Sequence, residues 1–414
     1  MDAKRANRQA FTLIELIVVM LIIGILMAMS AAAVGKFITV QQQSNTEMTI
    51  RKVYSKLMTQ WESVIRSARE ENMATTIGSA NAAYITTLAG GDGRRARVIY
   101  IKARLKQEFP ISFGEATSPG ASWVTGPLPF KQAYFNKFSG KTITGSGLTL
   151  TLTAASGPVT AVALGSGGTG YPASTTFTVM PLISGAGGCT VSATTSAAGI
   201  VTSVSLTTAG TGYSSSTVPA VVVPAAYESS ACLLEALKQG RRGNPISSDD
   251  FGSQSVKQFN GVDCLVDGWG TPLQFFRWPT GSGEVNGLAP PPQPTTSGAL
   301  TPPTTVRDQQ DPDGLLLSNQ WYLASDTGMP VPQGSLGLDF EYYFHPVHNA
   351  TVTFNTTTHT ATGMYAYFMV PVLASAGPNK HLGLYVTDMT ADGTGSDTDN
   401  LYSYRLLPPG VGGD

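Results

Sequence analysis

FTLIELIVVMLIIGILMAMSAAAV, residues 11–34, is the stretch on which the reading of this chain turns. It carries one charge, Glu15. As a helix it spans roughly 36 Å, enough to cross a bilayer with some tilt. Ahead of it stands MDAKRANRQA, residues 1–10, with Lys4, Arg5 and Arg8, and the apolar run begins abruptly behind that leader at Phe11. Composition alone suits a plain membrane anchor or an uncleaved signal peptide. The basic residues favour the cytoplasmic side for the leader, an argument weakened by Lys36, Arg51, Lys52 and Lys56 just beyond the helix. A carboxylate near the start of a lipid-facing helix costs about 2.5–3.5 kcal/mol unless it is paired. Glu15 therefore calls for a partner.

Beyond residue 34 the helix is expected to continue. Ile50, Val53, Tyr54, Leu57, Trp61, Val64, Ile65 and Ala68 recur at three- and four-residue spacing, with Arg51, Lys52, Ser55, Glu62 and Arg66 on the other face. Such a stripe packs on a globular domain. A second helix is predicted over residues 94–109, stopped by Pro110. Residues 35–117 thus read as the helical part of a core.

Composition changes next. Residues 142–227 contain no charged side chain, and LTLTLT, TFTV and TSVSL alternate with period two, so the stretch is strand and turn. VTAVALGSGGTGYPAS (159–174) is echoed by VTSVSLTTAGTGYSSS (201–216) at an offset of 42 residues, with Gly157 echoed by Gly199. This amounts to about one and a half repeats, where a solenoid needs at least three. Residues 118–225 are expected to form an inserted all-β module resembling the Gly-Thr-Gly-Tyr repeats of phage tail and surface proteins. Helical periodicity returns over 227–242. DGWGTPLQFFRWP (267–279) then reads as a turn feeding an aromatic strand, and 279–306 as a Pro-rich loop. Further strands are expected over 340–347, 350–354 and 364–373, before an acidic loop at 388–400.

The chain is 414 residues with a formal charge of −1, which allows two or three domains and leaves no electrostatic footprint for nucleic acid. Cys189, Cys232 and Cys264 lack metal-ligand spacing; in an oxidising compartment Cys232–Cys264 is the expected bridge. Catalytic signals are poor. SGKT (139–142) has Phe135 where a phosphate-binding loop needs its leading Gly. His345 and His348 sit three apart on an expected strand, pointing to opposite faces. No enzyme is expected. In the acidic loop, Asp392, Asp397 and Asp399 accompany Gly393 and Gly395, with Asn379 upstream, a set that suits a structural Ca²⁺.

The N-terminal residues resemble the type IV prepilin signature: basic leader, small residue, Phe-Thr-Leu-Ile-Glu-Leu, apolar helix. The resemblance implies cleavage by prepilin peptidase between Ala10 and Phe11, N-methylation of Phe11, and pairing of Glu15 with the terminal amine of a neighbouring subunit. Ala10 stands where the family usually has Gly. Asp267-x-Trp-Gly-x-Pro-x-x-Phe resembles the entry to the C-terminal sheet of major pseudopilins of type II secretion. Ser375-x-Gly followed by Asp397-x-Asp399-x-Leu-Tyr-Ser-Tyr resembles their calcium-binding loop, with Asn379-Lys380 replacing the family's Asp-Gly. The implied fold is α+β: a long N-terminal helix packed on an antiparallel sheet, with the β module inserted and residues 226–414 completing the pilin-like domain. The implied protein is a pseudopilin of the bacterial inner membrane, single-pass, with its globular part in the periplasm. Its implied partners are the peptidase, copies of itself, other pilin-like subunits and an assembly platform. A minor pilin or surface adhesin, binding a ligand through the β module, is the alternative.

Overall fold

The computed structural model describes residues 13–89, 91–117, 131–141, 143, 145–154, 157–181, 187–240, 246–252, 254–279, 282, 284–285, 308–313, 315, 353–355, 360–362, 370–384, 389 and 396–406. One continuous helix, α1 (Leu13–Glu70), dominates it. Its two halves meet different surroundings. The large apolar side chains described between Leu13 and Val40 are exposed, whereas Ile50, Val53, Tyr54, Leu57, Trp61, Val64 and Ala68 are buried. Thr46, one turn before Ile50 on the same stripe, is also buried. The expected stripe is therefore the packed face; Ile65, expected within it, lies partly buried against the core.

Two short helices follow, α2 (Met73–Ile77) and α3 (Ser79–Leu88), the first capped by the Asn72 side chain on Ala74 N–H. The next, α4 (Gly93–Glu108), starts at Asp92, whose carboxylate accepts from Arg94 and Arg95 N–H. It ends before Pro110, as the sequence leads one to expect. Trp61 of α1 meets Phe109 at 5.2 Å between ring centroids. The core of this region is completed by α5 (Phe113–Thr117), α6 (Gln132–Phe138) and α7 (Glu228–Lys238). Because Phe138 stacks on Phe113 and the Tyr134 hydroxyl donates to Glu108 O at 2.6 Å, α6 belongs to this core. The expected β-module boundary at residue 118 is too early: aromatic side chains on a helical spacing override the composition of the neighbouring stretch. Conversely, α7 stops at Lys238, four residues short of the expected end.

Six strands lie between α6 and α7: β1 (Ser146–Ala154), β2 (Val159–Thr169), β3 (Thr176–Pro181), β4 (Gly187–Thr195), β5 (Val201–Thr211) and β6 (Ser216–Val222). They form one antiparallel sheet in the order β2-β1-β6-β3-β4-β5. Exchanging β1 with β4, β2 with β5 and β3 with β6 turns this order into its own reverse. The echo is thus a complete duplication with pseudo-twofold symmetry, not one and a half repeats. The third strand of each half pairs with the first strand of the other: β6 with β1 and β3 with β4. The halves also trade backbone bonds 42 residues apart, Tyr213 N–H to Gly157 O at 2.8 Å and Tyr171 N–H to Gly199 O at 3.2 Å. Gly199 is at φ +69°, and any Cβ there would strike Tyr171 O. Leu150, Val179, Val191, Val201, Tyr171 and Tyr213 belong to a core of their own, separate from that of the helices.

After α7, β7 (Val256–Phe259) and β8 (Val262–Leu265) form a hairpin. Its turn is Asn260–Gly261, both at positive φ, the pairing that a two-residue hairpin turn selects. A three-stranded antiparallel sheet joins β9 (Gln274–Phe276), β12 (Val372–Ser375) and β13 (Leu401–Tyr402), followed by α8 (Ser403–Leu406). A separate pair, β10 (Thr353–Asn355) with β11 (Thr360–Thr362), overlaps the end of the strand expected at 350–354. The strand expected at 340–347, with His345, lies outside the described residues, as does His348. The class is α+β, a long apolar N-terminal helix with antiparallel sheets. Cys189, Cys232 and Cys264 are all free and buried. The expected Cys232–Cys264 bridge is absent; Cys264 Sγ instead donates to Val262 O and Tyr227 O.

Candidate functional site

The first half of α1 presents a continuous apolar surface, long enough to cross a membrane and unburied by the rest of the chain. Glu15 lies within the first turns of this helix. Ala10 and Phe11 lie outside the described residues.

Where α1 meets the globular part, the Asp267 turn holds it. Gly268 N–H donates to Thr46 Oγ1 at 2.8 Å, and any Cβ on Gly268 would collide with Gln42 O. Beside this contact the Thr49 and Ser255 hydroxyls share a hydrogen bond of 3.1 Å. Asp267 orders the turn from within. Its Oδ1 accepts from Trp269 N–H at 3.0 Å and Thr271 N–H at 2.9 Å, and its Oδ2 accepts from the Ser375 hydroxyl at 2.7 Å. Burial pushes its carboxyl above the ordinary range, although these donors oppose the shift. Two segments more than a hundred residues apart, which sequence reading treats separately, are therefore one unit. The strand pairing of β9 with β12 extends it.

The same unit reaches the acidic loop. Gly377, at φ +67°, packs so closely on Asp399 O that no side chain fits there. Asn379 Nδ2 donates to Asp399 Oδ1 at 2.6 Å, and Asn379 N–H donates to Asp399 Oδ2 at 3.2 Å. The Asn379 oxygen is taken by His381 N–H at 2.7 Å. Of the four expected metal ligands, the structure thus unites Asn379 with Asp399, but with the amide nitrogen facing the carboxylate. That arrangement suits a positioning residue and not an oxygen ligand. Asp392 lies outside the described residues, and Asp397 falls in a 3-10 turn at Ser396–Asp399. Among the described residues no group of three or more potential metal ligands gathers.

Residues 5–31 match the prokaryotic N-terminal methylation motif. The match supports a type IV pilin-like protein, with processing by prepilin peptidase, assembly into pilin-type filaments and membrane anchoring as its implications. No curated protein and no solved structure matches the chain.

Sequence reading missed a buried charge cluster that joins α4, α5 and the residue following β9. Arg277 holds Glu115 through both nitrogens, at 2.8 and 2.9 Å, and Lys106 stands 3.4 Å from the same carboxylate. Nothing in the spacing of residues 106, 115 and 277 announces this meeting. Burial pushes the Lys106 ammonium down to about 7, while Glu115 helps to hold its proton. An unfolded lysine keeps its proton to about 10.4. Between those values the unfolded chain binds a proton that the folded chain does not, so this lysine makes stability rise with pH. Lys106→Met, which keeps volume and leaves Arg277 on Glu115, is expected to flatten that rise between pH 7 and 9. It should also add about 1–2 kcal/mol at pH 7. Urea unfolding of the full chain in detergent at three pH values checks both.

Proposed function

We propose that the chain is a structural filament subunit, a pseudopilin of a type II secretion system. The observation that carries this reading is α1 itself, a methylation-motif helix exposed and apolar in one half and locked into a domain by the other. The membrane holds the subunit through residues 11–34 until the helices bundle in a periplasmic filament. Prepilin peptidase removes residues 1–10, Phe11 receives the methyl group, and Glu15 meets the new amine of a neighbour. Its other contacts are sister pilin-like subunits and the assembly platform of the inner membrane. Intact mass and N-terminal sequencing of the membrane-extracted protein test the first step: the mature chain is expected to begin at Phe11. A chain retaining residues 1–10 in cells with active peptidase refutes it.

The six-stranded sheet, with a core separate from the helices, favours one second reading, a minor pilin or adhesin whose β module binds a surface ligand. Fibres visible outside the cell and labelled through residues 146–222 would select that reading. Genes for a secretion ATPase and outer-membrane channel beside this one would select the first.

We further propose that the C-terminal loop takes a structural Ca²⁺ on Asp392, Asp397 and Asp399, with Asn379 orienting Asp399. Three carboxylates crowded on a Gly-rich loop repel one another until a cation neutralises them. An ion bound only by the folded state stabilises it by about 2.7 kcal/mol at a hundredfold excess over Kd. Calcium is therefore expected to raise the Tm of the chelator-treated protein by several degrees, and Asp397→Ala with Asp399→Ala to erase the rise. A calcium-independent melt would reduce the loop to a solvated acidic turn.

A further inference from the structure

Lys102 of α4 and Asp308, from segments far apart in the chain, meet in the interior. Lys102 Nζ and Asp308 Oδ2 lie 2.5 Å apart, and both side chains are buried. Neither atom has a hydrogen-bond partner elsewhere among the described residues, and the Nζ stands over the Trp278 ring, 5.6 Å from its centroid. An ammonium carries three donors, so one carboxylate oxygen leaves the rest of them unmet. Desolvation of both ions then opposes their attraction. The segment is docked along α4 on either side of the contact: Arg94 pairs with Asp313, and Arg95 Nε donates to Leu315 O at 2.9 Å. Within it, Asp308 Oδ1 accepts from Gln310 N–H at 2.8 Å. Three other lysine–carboxylate pairs lack this combination. Lys238 and Asp263 are both partly exposed. Lys131 is partly exposed and shares Glu108 with Arg104. Lys106 stands 3.4 Å from a carboxylate that Arg277 already grips.

We propose that Lys102 and Asp308 are a modification site, where the two side chains condense into an intramolecular isopeptide bond. One proton passes from Nζ to Oδ2 and frees the amine lone pair, which attacks Asp308 Cγ. The Nζ–Cγ bond forms and the Cγ–Oδ2 bond breaks. Oδ2 takes a second proton from Nζ and leaves as water, while the third stays on the amide nitrogen. No oxidant or co-reactant is needed. Negative charge gathers on Oδ1 in the tetrahedral intermediate, where the Gln310 N–H is already placed to meet it. Free amines and carboxylates do not condense in dilute solution, but reactants held in contact act at effective molarities of about 10⁵–10⁸ M. The amide also abolishes both buried charges and with them the cost of desolvating them. The bond closes residues 103–307 into a loop that contains the six-stranded sheet, α7 and the β7–β8 hairpin. Tension applied between α1 and β12 then runs through the amide and spares everything inside the loop. This inference is independent of the filament reading.

The full chain, purified in detergent, is unfolded in guanidinium chloride, digested with trypsin and read by mass spectrometry. Cleavage after Arg97, Arg104 and Arg307, with none after Lys102, is expected to yield a branched peptide in most chains. It joins residues 98–104 to the peptide that begins at Asp308 and is lighter than the two together by one water. Linear peptide 98–102 from the majority of chains overturns the proposal. So does a lost water that fragmentation places within one linear peptide, as a succinimide at Asp313-Gly314 would give. Lys102→Arg keeps the positive charge but offers a poor nucleophile, and should abolish the branched peptide. Branching that persists in this variant assigns the link to another residue and also overturns the proposal. The wild-type digest decides the matter even if the variant fails to fold.

Discussion

Replacing Arg277 with alanine is expected to destabilise the folded chain by about 3–5 kcal/mol, the usual cost of breaking a buried ion pair from one side. The guanidinium is buried and bidentate on Glu115, donates to Phe109 O at 2.9 Å, and lies 4.5 Å from the centre of the Trp278 ring. Removing it strands Glu115 in the interior with Lys106 as its remaining ionic neighbour. Burial alone would lift the Glu115 carboxyl; Arg277, Lys106 and the Ile111 N–H together hold it below its ordinary value. A carboxylate with a depressed folded pKa stabilises the fold above its unfolded pKa, near 4.3, and loses that contribution as pH falls through the folded value. Arg277→Ala should therefore also bring acid unfolding to higher pH. Pairing it with Glu115→Gln should cost at least 1 kcal/mol less than the sum of the two single changes, since they share one interaction. Urea and acid titrations of the four chains measure this. A loss below 1 kcal/mol in Arg277→Ala would mean that the cluster contributes little.

On the proposed assembly, Glu15→Val is expected to leave cleavage intact and abolish incorporation into filaments. The carboxylate costs the membrane-held subunit about 2.5–3.5 kcal/mol, and valine removes that cost. Meeting a terminal amine at 4 Å is worth about 4 kcal/mol at an effective dielectric near 20. The wild-type carboxylate thus penalises the stored state and favours the assembled one, so its loss shifts both terms against assembly. The variant should accumulate in the inner membrane as mature chain. Comparing sheared and membrane fractions reads this directly, and filaments at wild-type yield would remove Glu15 from the assembly.

Local patterns carried far into the structure. The α1 stripe, the stop at Pro110 and the strands around LTLTLT, TFTV and TSVSL are set by side chains a few residues apart, and sequence periodicity shows them. Thr46 was equally legible, being on the stripe one turn before Ile50. The Asn260–Gly261 hairpin carries a standard turn signal in its Asn-Gly pair. What stayed hidden depended on distant segments meeting. Asp267 bonding Ser375, Arg277 gripping Glu115 and Asn379 turning its nitrogen to Asp399 are products of tertiary packing. The 42-residue echo was visible only in β2 and β5, whose Gly-Thr-Gly-Tyr turns constrain sequence; the other strands of each half share only alternation. Cys232 and Cys264 misled because a bridge needs facing side chains, which counting cannot supply.

The pairing of β1 with β6 has a consequence for how the chain folds. Thr149 opposes Pro219 in the register, so the strand that enters the duplicated sheet and the strand that leaves it run side by side. An excursion from Phe138 to Glu228 therefore departs from the helical core and returns to it at nearly one point. Loop closure grows only slowly with length, by about 0.6 kcal/mol per doubling. Once the sheet has formed, even that cost shrinks to the cost of joining two neighbouring ends. The order of events then ceases to matter: α7 can dock on α1 before the sheet condenses or after it. An exchange of this sheet for a shorter connection would leave α6 and α7 the same distance to bridge.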